Sequence, residues 1–85
     1  MSCNVKFSEI NYTETWCTNA KDGLMFLLKN GYIRISAYFE IEANKIIKCL
    51  KALGVKHKIN FISPNINNPN GDYEFMLDFF DDDRK

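Results

Sequence analysis

The side chains best suited to metal or nucleophilic chemistry are a single histidine, His57, and three cysteines, Cys3, Cys17 and Cys49. A Cys3His zinc site would use all four. Structural zinc sites are built on closely spaced ligand pairs at a turn, and no such pair occurs here. Three cysteines also differ from the even, denser framework of a secreted disulfide protein. Reduced thiols in a cytoplasm are therefore expected, with Cys49 buried beside Ile46 and Leu53. Nucleophilic catalysis would need His57 to meet Cys17 or Ser63, an encounter that spacing does not announce. The P-loop, dinucleotide-binding, nucleophile-elbow and zincin motifs are all absent.

Carboxylates offer a second chemistry. Asp72, Glu74, Asp78, Asp81, Asp82 and Asp83 crowd the end of the sequence. On a strand, Glu74 and Asp78 would share a face about 13 Å apart, too far for a two-carboxylate glycosidase or a compact magnesium site. Asp78, Asp81, Asp82 and Asp83 read instead as an acidic patch, able to dock on a basic nucleic-acid-binding surface. No enzymatic activity, metal or cofactor is expected.

Five lysines lie between residues 44 and 62, and the elements that carry them explain most of that cluster. Ile46, Ile47, Leu50 and Leu53 recur at helical spacing, flanked by Ala43 and Cys49. Glu40 and Glu42 open the segment, Lys48 and Lys51 close it, and Gly54 follows as a stop, which suits the helix dipole. Lys45, Lys48 and Lys51 then fall on the solvated side of a helix over residues 41–53. HKINFIS and YEFMLDFF alternate as strands, with Ile59, Phe61 and His57 facing one way and Lys56, Lys58 and Asn60 the other. If the strands pair, Lys56 and Lys58 lie across from Glu74 and Asp78.

Asp22-Gly23 and Asn30-Gly31 stand six residues apart. Asn-Gly between apolar runs is a hairpin signal, so LMFLLK reads as a strand pairing with YIRISAYF. The competing reading keeps residues 14–29 helical, with Trp16, Ala20, Leu24 and Leu27 or Leu28 as a stripe and Gly31 as its terminal glycine. Both remain open at this stage.

The 85 residues fit one domain, with residues 1–80 compact and 81–85 a flexible tail. At 46% hydrophobic and 14% aromatic, the chain has enough apolar material for a core. Eleven basic and eleven acidic residues balance, so no overall charge steers it toward nucleic acid. Neither a signal peptide nor a membrane span is expected, since the longest apolar run is LMFLL. The expected fold is α+β, a small antiparallel sheet of four to five strands with one main helix on one face.

One helix leaves the opposite face uncovered. That face would carry Tyr32, Arg34, Tyr38, Lys58, Met76 and Phe80, residue types that concentrate at interface cores. Two outcomes follow from this. Either the face binds a protein partner or a second copy of the chain, or the N-terminal residues Phe7, Ile10, Tyr12 and Trp16 fold over it. Exposed tyrosines beside Arg34 and Lys58 also resemble a single-strand-binding surface, a reading weakened by the neighbouring Glu74 and Asp78. A bias toward lysine, asparagine and isoleucine suits a phage or mobile-element accessory protein that inhibits a host protein by occupying its surface. Non-catalytic protein binding, as a homodimer or with another protein, is the expected function.

Overall fold

The computed structural model describes residues 5–6, 16–66 and 68–81. In chain order these form β1 (Val5–Lys6), β2 (Trp16–Cys17), α1 (Ala20–Asn30), β3 (Tyr32–Ser36), a 3-10 turn (Ala37–Phe39), α2 (Glu40–Leu53), β4 (His57–Ile62), β5 (Asp72–Leu77) and β6 (Phe80–Asp81). Four strands make a mixed sheet in the order β2-β3-β5-β4, while β1 pairs with β6 separately. β2 runs parallel to β3, and β5 lies antiparallel to both of its neighbours. The fold is α+β, with α2 packed against the sheet as expected and a second helix, α1, beside it.

α2 forms where its caps and apolar spacing place it. Glu40 and Glu42 occupy the first turn, Lys51 the last, and Gly54 closes it in the left-handed region at φ 70°. Ala43, Ile46 and Leu50 turn inward; Leu53 and Cys49 do not. The expectation that Cys49 is buried is therefore corrected. Position 49 falls one residue from the inward stripe, roughly 100° around the helix.

α1 replaces the strand expected at LMFLLK. Asn19 caps it by accepting from the Asp22 amide at 2.8 Å, and Gly31 ends it at φ 81°, donating its own amide to the Leu27 carbonyl at 2.7 Å. Asn30-Gly31 is thus a helix terminus and not a hairpin turn. Gly23 looked like a break in the helix because glycine disfavours helical interiors. Its role is spatial, since a Cβ there would meet Ile46 Cδ1 at 2.9 Å and Ile33 Cδ1 at 3.4 Å. The missing side chain is what lets α1 approach α2 and β3.

Alternation along the strands divides the sheet into two faces. Cys17, Ile33, Ile35, Phe75 and Leu77 face the helices and join Leu27, Ala43, Ile46 and Leu50 in the main core. Each large side chain so buried stabilises the fold by about 1.5–3 kcal/mol before entropy is counted. Glu42 ties the helices together, accepting from the first amide of α1, that of Ala20, at 2.9 Å and from Lys45 Nζ at 3.1 Å.

Candidate functional site

The second face is built by the β3–β5 register, which sets Tyr32 opposite Met76, Arg34 opposite Glu74 and Ser36 opposite Asp72. Directly opposed residues share a face with their Cβ atoms about 4.5–5.5 Å apart. Tyr32 therefore donates its hydroxyl hydrogen to Glu74. Arg34 Nε donates to the Tyr32 oxygen at 2.9 Å, and its Nη2 lies 3.4 Å from Glu74 Oε2. Arg34 Nη1 stands 4.0 Å from Asp72 Oδ2, while Asn68 Nδ2 donates to Asp72 Oδ1 at 2.5 Å. Trp16 lies opposite Arg34 in the β2–β3 register, with the guanidinium 5.6 Å from its ring centre, a cation–π contact.

Glu74 and Asp72 are both buried at 3% exposure. Burying a carboxylate costs several kcal/mol unless it is paired and hydrogen-bonded, and the network supplies that pairing. Burial, and next the hydrogen bond to Glu74, hold the Tyr32 phenol well above its ordinary value near 10. Tyr32 stays a neutral donor.

These elements enclose a cleft of about 480 Å³ lined by Trp16, Arg34, Ser36, Ile62, Asn65, Asn68 and Asp72. Asn65 and Asn68 form its lip, joined by reciprocal backbone hydrogen bonds of 2.9 and 3.1 Å. Gly71, at φ 80°, turns the chain into β5. A Cβ there would lie 2.6 Å from the Ile62 carbonyl oxygen, so only glycine fits.

The residues expected on an open face separate into three places. Tyr32, Met76 and Phe80 are buried in a second small core, which corrects the expectation that they stand open. β5 ends at Leu77, the chain turns, and β6 brings the Phe80 ring onto Tyr32, stacked at 5.0 Å. Arg34 lines the cleft. Tyr38 is exposed, but it sits in the 3-10 turn and not in β3, its amide held by the Ser36 hydroxyl at 3.2 Å. Lys58 is exposed on β4 across from Met76. Glu74, expected to face the β4 lysines, points to Arg34 and Tyr32 instead.

Asp78 is exposed, and Asp81 contributes backbone to β6. Asp82 and Asp83 lie outside the described residues, as do Phe7, Ile10 and Tyr12. His57 Nδ1 is 2.8 Å from the Val55 carbonyl, a local contact. The buried Cys17 thiol is pushed up to about 11 by desolvation and then by Asp22, which keeps it protonated and unreactive at neutral pH. Among the described residues, no group of three His, Cys, Asp or Glu side chains is arranged to hold a metal ion. No helix among them is long and apolar enough to cross a membrane.

Sequence reasoning missed Trp16, Ser36, Ile62, Asn65, Asn68 and Asp72 as cleft residues. One signal was present: Asp72 and Glu74 punctuate an otherwise apolar strand at two-residue spacing, so they share a face and need partners there.

A second exposed feature is the margin of the sheet. Among the described residues β4 pairs only with β5, and its other edge pairs with none of them. Ile59 and Phe61, on its helix-side face, are 36% and 55% exposed. No family model, curated protein or solved structure matches this chain.

Proposed function

We propose that this chain is a non-catalytic protein-binding module that works through the open margin of β4. The observation that supports this is a six-residue strand that lies at the edge of the sheet among the described residues, with two partly exposed apolar side chains on its helix-side face. Such an edge takes an added strand, whose main-chain hydrogen bonds give affinity and whose alternate side chains give specificity. Lys58 points to the opposite face, so it does not block contact with Ile59 and Phe61.

A second copy of this chain fits that edge by two-fold symmetry. Antiparallel pairing centred on Asn60 sets Ile59 of each copy against Phe61 of the other and keeps the lysines apart. In the setting of a phage or mobile-element accessory protein, the same edge serves to occupy a host protein's surface. The lysine-rich, arginine-poor composition is what supports that setting.

Light scattering across a concentration series tests the module, together with capture from a lysate of candidate host cells. Phe61→Glu is expected to abolish association, because it places a carboxylate where apolar area would be buried. Association and capture both unchanged in a folded Phe61→Glu protein would remove β4 as the binding surface.

A further inference from the structure

We propose that the cleft between Trp16, Arg34, Asp72, Asn65 and Asn68 binds a nucleobase, stacked on Trp16 and read at its edge by Asp72. This site lies on the opposite face of the sheet from Ile59 and Phe61 and does not depend on the β4 interface.

Charge selects the class of ligand. Asp72 in the wall repels anions and Arg34 repels cations, so the cleft favours a neutral group carrying both donors and acceptors. Shape narrows it further. Trp16 is 40% exposed and offers an aromatic wall, and a base stacked on such a ring gains about 1–3 kcal/mol whatever its identity. The cleft, at about 480 Å³, lies within the usual range for small-ligand pockets.

Asp72 supplies the edge chemistry. Its Oδ1 accepts from Asn68, whereas Oδ2 lies 4.0 Å from Arg34 Nη1, outside hydrogen-bond range. That oxygen can accept from an amine entering the cleft. Adenine, guanine and cytosine carry an exocyclic amine, whereas the N3–H of uracil is flanked by two carbonyl oxygens that repel a carboxylate, so Asp72 discriminates against uracil. The base can arrive on a free nucleoside or within a single strand.

Trp16 is the only tryptophan in the chain, so its fluorescence reports the cleft without a label. Adenosine, guanosine and cytidine are expected to quench it saturably, with uridine at least tenfold weaker. Asp72→Asn should weaken adenosine binding at least tenfold. Should that variant fail to fold, Asn65→Leu on the exposed lip reads the same loss, while Phe61→Glu leaves binding unchanged. A single-stranded deoxyadenylate oligomer binding at least tenfold tighter than adenosine, and weakening as salt rises, assigns a strand. Equal, salt-independent affinities assign the free nucleoside. The proposal is overturned by no saturable quenching from any nucleoside or oligomer in the folded protein. It is equally overturned by uridine binding as tightly as the others, or by unchanged affinity in both cleft variants.

Discussion

The two faces of the sheet are made from alternate residues of the same strands, yet they are held by different forces. On the helix side, Ile33, Ile35 and Phe75 are covered by α1 and α2, and contact area does the work. On the other side Tyr32, Arg34 and Glu74 hold one another through directed bonds, with Asp72 hydrogen-bonded to Asn68 and within ion-pair reach of Arg34. An apolar face tolerates other apolar side chains of similar volume, because dispersion and burial are not directional. A buried polar face tolerates little, since each group left without its partner carries its full desolvation cost.

Single truncations on the two faces are expected to be similarly severe. Ile33→Ala should cost about 2–5 kcal/mol by leaving a cavity, and Glu74→Ala about 3–5 kcal/mol by stranding Arg34 and the Tyr32 hydroxyl. Chemical denaturation measures both. The contrast sharpens with the combined replacement Tyr32→Phe, Arg34→Met, Asp72→Asn and Glu74→Leu, expected to be less destabilising than Glu74→Ala alone. A combined variant as unstable as the sum of its parts would show that the polar face is not held by mutual satisfaction.

Smaller effects come from protons. Tyr32→Phe should cost about 2 kcal/mol at neutral pH, the usual worth of a hydrogen bond to a charged group. It should also change the alkaline limb. The folded phenol keeps its proton above the ordinary value of 10, so its contribution is complete below that pH. It is lost as pH rises through the folded value. Thermal melts between pH 9 and 11 should therefore fall more steeply for the parent chain than for Tyr32→Phe.

The smallest expected effect lies between the helices. The Ala20 amide, and after it Lys45, lower the Glu42 carboxyl below its ordinary 4.5. Stability from this group is present above that value and is lost as pH falls through the lowered one. Glu42→Gln should flatten the acid limb of the stability profile slightly. A profile identical to the parent's would show that the capping of α1 by α2 contributes nothing.

α2 was fully legible, because acidic entry, basic exit, apolar spacing and Gly54 all agreed. The β4–β5 pair was legible from alternation alone. α1 was not, because Gly23 carries the same local signal whether it breaks a helix or admits a neighbouring one. The neighbour, Ile46, lies 23 positions further along. The cleft was hidden for a related reason. Glu74 could be assigned to lysines or to Arg34 only once the strand order was known, and adjacency in sequence favoured β4. Tyr32 and Phe80 alternate as if solvated; only the turn after Leu77 reveals that one closes over the other.

The placement of β5 between β3 and β4 has a consequence for the order of assembly. Neither neighbour can complete its pairing until Asp72–Leu77 has left the ribosome, although β3 ends at Ser36 and β4 at Ile62. Until then the nascent chain holds two strands with no shared partner, one of them carrying Ile59 and Phe61. Both helices can form early, whereas the sheet closes late and at once, when the last inserted strand joins its two sides.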